Sequence, residues 1–295
     1  MTAPVFVMSE PACPEDCARQ KDGCSFRVAW EINPHMRVGA TCSRTARTEH
    51  RELVRVLREA GAIVHSVPFV HGAFDSVFTK DNALLVARGP SRMAALLARP
   101  RYDVRRIEQA SRARALTRLG AEVSSPPDAA FEGGDAVVLP DAGGAFLGHG
   151  FRTAREAARE LERFLDLSVM PLELRDPRLY HLDMALAVLD DGTALVCEEA
   201  FTSVALRGIE RHPEVSDVVR VPLDEALCFG ANLIQIGRTI VWAADAPRTS
   251  EALSRRGYHV VRTRLDQFHL AGGSAACLVS RVHAQLDAAP ASTAA

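Results

Sequence analysis

Short apolar runs separated by polar turns recur along the chain, and five of them begin alike. DNALLVARG opens at Asp81, DAVVLPDAGGAFLGHG at Asp135, DMALAVLDDGTALVC at Asp183, NLIQIGRTIVWAAD at Asn232 and CLVSRV at Cys277. Each head is a small polar or thiol residue that leads directly into an apolar strand. Three runs continue through a turn (PDAGG, LDDG, IGRT) into a second strand, the pattern of a hairpin. The heads recur about every fifty residues, the interval of a repeat architecture. Helical patterns lie between. Leu53, Val56, Leu57 and Ala60 fall at i, i+3, i+4 and i+7 ahead of Gly61. Thr153 and Glu156 have capping-box spacing before Ala157, Leu161, Phe164 and Leu165. Pro247 to Arg256 predicts a shorter helix stopped by Gly257. One unit of strands plus a helix cannot bury its own apolar face, so the units must stack or close into a ring. A closed ring aims its five heads at a common centre.

The stretch YHLDMALAVL, residues 180–189, makes the consequence concrete. Read as a strand, it places His181 and Asp183 on one face and Leu182, Met184, Leu186 and Val188 on the other. Any one polar head taken alone reads as a turn residue or strand cap. Five heads in register, with Glu132 and His181 close by, read as a site.

Composition narrows the class. The 295 residues, 47% hydrophobic and 24% charged, suit a globular protein with a full core. A formal net charge of −2 gives no electrostatic footprint for nucleic acid or an anionic membrane surface. No stretch approaches the length of a membrane span, and the N-terminus lacks a basic segment followed by an apolar one. The expectation is a soluble protein of the cytoplasm. Its three expected parts are an N-terminal loop segment 1–25, a single catalytic domain 26–284 and a flexible tail 285–295. Seven cysteines without a dense framework read as reduced thiols. The spacing of Cys13, Cys17 and Cys24, with Cys42 beyond, matches no familiar zinc knuckle, so the segment reads as a loop and no metal is assigned.

The chemistry gathers near the heads. Asp75 and Asp81 stand in FDSVFTKDNA, Arg105 and Arg106 in VRRIE, Glu132 and Asp135 in FEGGD, Arg152 in GFRT, His181 and Asp183 in YHLD, and Cys277 in GGSAAC. A thiol with an imidazole suggests a nucleophile and its acid/base partner, and a carboxylate can orient the imidazole. Surplus carboxylates suit a cationic substrate, because a planar guanidinium is held bidentately by such groups. The arginines suit an α-carboxylate at the other end of the molecule. An amino acid with a guanidine tail meets both demands. Cys42, Cys197 and Cys228 read as small apolar residues, and Lys80 as an exposed strand residue.

FDSVFTKDNA, FEGGDAVVLP, GFRT, YHLDMAL and GGSAACL, with INPHM nearer the N-terminus, resemble the guanidine-modifying enzymes in type and order. That superfamily includes dimethylarginine dimethylaminohydrolase, arginine deiminase and the amidinotransferases, and the resemblance covers roughly residues 26–282. It implies an α/β fold, a five-bladed α/β-propeller (pentein) of pseudo-fivefold ββαβ repeats, with no metal and no organic cofactor. It also implies Cys277 as nucleophile, His181 as general acid/base and Glu132 as support for the histidine. Asp81 and Asp183 would hold the guanidinium, Arg105 and Arg152 the substrate carboxylate, and Asp75 and Asp135 would complete the pocket. Lys80 stands where the dimethylarginine enzymes are expected to carry an acid. Asp183, two after the histidine, looks like arginine deiminase and the amidinotransferases, yet the compact length is nearer the dimethylarginine hydrolases.

The expected function is therefore cysteine-dependent hydrolysis of arginine or an N-substituted arginine to citrulline plus ammonia or an amine. The expected partner is that small molecule, with no nucleic acid and no membrane, and a homodimer on the prevalence of twofold oligomers. Two alternatives stay open: an amidinotransferase passing the amidino group to an amine, and a non-catalytic binding propeller.

Overall fold

A computed structural model describes residues 3–19, 21–89, 92–140 and 143–284. Its strands fall into five units of one design, an antiparallel pair whose second strand runs on through a helix to a parallel third. One unit comprises β3 (Ala83–Ala87), β4 (Met93–Leu97) and β5 (Ala121–Ser124), with α2 (Asp103–Arg106) and α3 (Gln109–Arg118) in the crossover. The next is β6 (Ala136–Val138), β7 (Ala145–His149), α4 (Ala158–Leu165) and β8 (Val169–Glu173). It is followed by β9 (Leu186–Val188), β10 (Thr193–Val196), α5 (Ser203–Glu210) and β11 (Asp217–Arg220). After α6 (Leu223–Leu227) come β12 (Leu233–Ile236), β13 (Thr239–Trp242), α7 (Pro247–Arg255) and β14 (His259–Arg262).

The fifth unit is made from both ends of the chain. After α8 (Asp266–His269), β15 (Ser280–His283) pairs antiparallel with β1 (Val5–Ser9). From β1 the chain passes through α1 (Ser43–Glu59) to the parallel β2 (Ile63–Val67). β15 also pairs with β3, so two units merge into one six-stranded sheet. This order fits the expected fivefold ring. It corrects the reading of 1–25 as a loop, because Phe6, Val7 and Met8 of β1 are buried between two neighbouring strands. The expected tail, 285–295, lies outside the described residues.

Amphipathic helices cover the outer faces. α4 buries Leu161 and Leu165, and α1 buries Leu53, Val56 and Leu57, as their spacing requires. The capping box before α4 does not form. The Thr153 hydroxyl accepts instead from the Glu132 amide at 3.0 Å, and a 3₁₀ turn, Arg155–Ala157, starts the helix.

A second correction concerns the heads. At Asp81, Asp135, Asp183 and Cys277 the chain makes one 3₁₀ turn before the strand begins: Thr79–Asn82, Gly133–Asp135, Leu182–Met184 and Ala276–Leu278. His181 and Asp183 therefore do not share a strand face. A 3₁₀ turn rotates successive side chains by a third of a circle, so the two diverge, the imidazole toward Glu132 and the carboxylate toward Cys277. Among the described residues, no helix is long and apolar enough to cross a membrane.

Candidate active site

The turns meet at the axis, and the close approach dictates local sequence. At Gly133 a Cβ would lie 2.0 Å from the Lys80 carbonyl oxygen, and at Gly134 one would lie 2.7 Å from both Asp81 Oδ1 and His181 Nδ1. The FEGGD motif thus needs both glycines, because the backbone of one unit passes between functional groups of two others.

Cys277 is buried at the ring centre. Its Sγ accepts from Asn232 Nδ2 at 3.2 Å and lies 3.8 Å from Asp183 Oδ2, while Asn232 Oδ1 accepts from the Ala276 amide at 2.9 Å. Burial, then the carboxylates of Asp183 and Asp81, hold the thiol pKa well above its ordinary value. The resting sulfur is therefore a neutral thiol near neutral pH.

His181 Nε2 lies 2.9 Å from Glu132 Oε2, and Nδ1 lies 3.5 Å from Asp81 Oδ1. Burial alone would lower the pKa of this imidazole, but Asp81, Asp135 and Glu132 overcome that effect and raise it to about 9. Glu132 also accepts from Arg152 Nη1 at 2.8 Å. Burial works against ionisation of Glu132, but Arg152 and His181 outweigh it and keep the group a carboxylate. Among the described residues no hydrogen bond joins Sγ to the imidazole; the Asp81 carboxylate lies beside the ring.

A cavity of about 10 Å³ is lined by Cys277, Asp75, Asp81, Arg105, Arg152 and Tyr180, together with Ile32, Asn33 and Met36. That is room for roughly one water molecule, so the walls must part to admit an amino acid. Asp75 Oδ2 accepts from Trp30 Nε1 at 2.5 Å. Burial raises its pKa to about 6, against the pull of Arg105 and Trp30.

The cavity joins most of the expected site residues, with changes of role. The Arg105 fork is largely occupied, donating to Glu108 Oε1 at 2.9 Å, Asp81 Oδ2 at 2.6 Å and the carbonyls of Asp75 and Phe78. Arg152 retains more of its donors, two of which serve Glu132 and the Ile32 carbonyl. Asp135 is not a pocket residue. It lies beneath the wall, and its Oδ1 accepts from the Leu182 amide at 2.9 Å, which anchors the turn after His181. Burial raises the Asp135 pKa to about 7.

Lys80 is not an exposed strand residue. It sits in a 3₁₀ turn with Nζ 3.2 Å from Asp183 Oδ2. Asn232 escaped notice as a site residue although it is a repeat head, in register with Asp183 and Cys277; that register was the signal. Glu108 and Trp30 gave none, since only the fold brings them to Arg105 and Asp75. Asp81, Glu132 and His181 offer atoms within 4.8 Å of one another, a spacing that could hold a metal. Arg105 and Arg152 already neutralise the two acids.

A buried thiol, a carboxylate-backed imidazole and acids around a small cavity, on this ring of repeats, define a guanidine-modifying enzyme of the pentein class. A family model described as "N,N dimethylarginine dimethylhydrolase, eukaryotic" matches residues 34–284, and the chain belongs to that family. It is a hydrolase of amidine carbon–nitrogen bonds. The N(G),N(G)-dimethylarginine dimethylaminohydrolase of Mycobacterium tuberculosis is 29% identical over 259 residues, 88% of this chain and 83% of that protein. The bifunctional arginine dihydrolase/ornithine cyclodeaminase ArgZ of Synechocystis is 30% identical over 262 residues, 87% of this chain but 36% of that protein. The crystal structure of the N-terminal domain of ArgZ, a cyanobacterial arginine dihydrolase bound to product, superposes with a TM-score of 0.86 at 27% identity. It covers 97% of this chain and 100% of that one.

Proposed function

We propose that the protein hydrolyses arginine or an N-substituted arginine to citrulline and ammonia or an amine, with Cys277 carrying a covalent amidino intermediate. One observation carries this reading. Around the buried Cys277 thiol, Asp75 and Asp183 each keep one buried carboxylate oxygen, Oδ1, without a hydrogen-bond partner, and Asp81 Oδ1 has only the looser 3.5 Å contact with His181 Nδ1. Such oxygens are costly unless a ligand supplies donors, and a guanidinium supplies up to five N–H groups in one plane.

The residues then divide the work. Burial and then the acids hold the thiol neutral; the entering cation offsets both by placing a positive charge beside the sulfur, so Cys277 loses its proton to solvent and attacks the guanidinium carbon. The imidazolium of His181, kept protonated by its carboxylate neighbours, donates its Nδ1 proton to the departing nitrogen, and the C–N bond breaks. Neutral His181 next takes a proton from a water that adds to the same carbon. Expulsion of the Cys277 sulfur leaves the ureido product. Glu132 orients the ring through Nε2, and the spare donors of Arg152, with what remains of the Arg105 fork, receive the α-carboxylate. Asp183 beside the sulfur favours a substrate with N–H groups on its terminal nitrogens. Related enzymes support both readings: ArgZ is described as an arginine dihydrolase and the mycobacterial relative as a dimethylarginine hydrolase.

The deciding experiment offers arginine, monomethylarginine and dimethylarginine separately and identifies the amine released. Ammonia from arginine, or methylamine or dimethylamine from the substituted compounds, with citrulline in equal amount, is the expected result. A guanidino product made only when glycine or ornithine is present would replace hydrolysis by amidino transfer.

A further inference from the structure

Far from the reacting atoms in sequence, Cys13, Cys17 and Cys24 bring their sulfurs within 4.8 Å of one another. Three thiols, none of them in a disulfide and each part-exposed, converge in the loop that follows β1. The loop is closed at its neck like a hairpin: the Cys13 amide donates to the Cys24 carbonyl at 2.7 Å, the Phe26 amide to the Pro11 carbonyl at 2.8 Å, and Ala12 bridges Ser25. Two tight turns place the other sulfur-bearing positions, with the Cys17 amide on the Pro14 carbonyl and the Cys24 amide on the Lys21 carbonyl, both 3.1 Å. Cys42 lies outside the cluster and is exposed.

Such convergence needs a cause. Packing does not supply one, because small apolar residues would fill the same space without crowding three ionisable sulfurs. A disulfide uses two sulfurs and leaves the third unexplained. A divalent ion uses all three. Tetrahedral zinc at about 2.3 Å from each thiolate sets sulfurs about 3.8 Å apart, so the observed trio needs to contract by about 1 Å at most. The loop is also braced by a neighbouring segment. His71 packs on Gly23, immediately before Cys24, so closely that a Cβ there would lie 2.6 Å from His71 Nε2. The Gly72 amide donates to the Gly23 carbonyl at 2.9 Å and fixes the two segments together.

We propose that Cys13, Cys17 and Cys24 form a zinc site outside the catalytic centre, with three thiolates as ligands and a fourth position left to a donor from solvent or the chain. Binding replaces three S–H protons by three Zn–S bonds; the protons pass to solvent, and no oxidant or reductant takes part. The site would act as a staple. The loop it closes leads straight into Trp30, bonded to Asp75, and into Ile32, Asn33 and Met36, which line the cavity. Metal would therefore tether one end of that lining segment.

The test is elemental analysis of untagged full-length protein, reconstituted with zinc under reducing conditions and freed of loose ion. About one zinc per chain is expected, retained in Cys277→Ser and lost in Cys17→Ser and in Cys13→Ser/Cys24→Ser. Cobalt in place of zinc should give thiolate-to-metal charge-transfer absorption that the same variants lack. The cobalt titration on the unmutated chain keeps the test valid if a variant fails to fold. Zinc below a tenth of an equivalent, absence of the charge-transfer bands, or equal metal in the Cys13→Ser/Cys24→Ser variant would overturn the proposal. So would a mass two hydrogen atoms lighter that persists under mild reducing conditions, the mark of a stable disulfide.

Discussion

Cys277 and His181 hold opposite protonation biases. Burial and two acids keep the thiol neutral, while three acids keep the imidazole charged up to about pH 9. The linkage sign follows. A histidine pKa raised from 6.5 to about 9 favours the folded, proton-bound state below 6.5, and that advantage disappears as pH rises through 9. The proton donor is lost over the same interval. The pH profile of kcat/KM should therefore show an alkaline limb near pH 9, and an alkaline limb already at the ordinary imidazole value would contradict this charge arrangement. Cys277→Ser should reduce turnover by at least about 10⁴-fold with thermal stability nearly unchanged, as citrulline release and a melting curve would show. Lys80 pairs with Asp183, and its positive charge lowers the thiol pKa. Lys80→Met should slow alkylation of Cys277 in the free enzyme and lower KM for a cationic substrate, since Asp183 then offers both oxygens. Unchanged values for both would show that Lys80 is a bystander.

The 3₁₀ turn at four of the five heads is the element that turns a repeat into a site. Equivalent heads do two different jobs. Asp135 and Asn232 each accept the backbone amide of the next unit's turn, from Leu182 and Ala276 respectively, both at 2.9 Å. Asp81, Asp183 and Cys277 instead present their side chains to the centre. Asn232→Ala leaves a buried amide unpaired beside Cys277, and a loss of about 1–3 kcal/mol in chemical denaturation is expected, together with lower kcat. Gly134→Ala drives a methyl group into His181 and Asp81. Displacement of the imidazole by even about 1 Å should cost on the order of 100-fold in kcat/KM; activity within twofold of the parent would mean that the turn yields freely.

At the scale of the whole molecule, the ring is closed by strands from opposite ends of the chain. β1 lies between β2 and β15, and buries Phe6, Val7 and Met8. Removing residues 1–9 forfeits about 2 kcal/mol for each of those side chains as well as two strand pairings, a sum comparable with the whole stability of a domain. Such a truncation should lose its cooperative thermal transition, which calorimetry would detect. The same closure buries the acids and the thiol together, away from screening water, and that shared burial sets their pKa values.

The repeat, its interval, the helices between and the kinds of chemistry at the heads were all legible in the sequence, because apolar periodicity and turn chemistry are local properties. β1 was not, since a single short run near a terminus has no periodicity against which to be read. The 3₁₀ turns escaped too, because alternation over four residues cannot distinguish a strand from a turn followed by one. Tertiary structure alone decided which head points inward and which braces its neighbour, that Lys80 meets Asp183, and that Arg105 meets Glu108 and Asp81. Those outcomes depend on distances between units remote in sequence, where a few ångströms separate an ion pair from a solvated charge. A linear pattern carries no information about such distances until the ring closes.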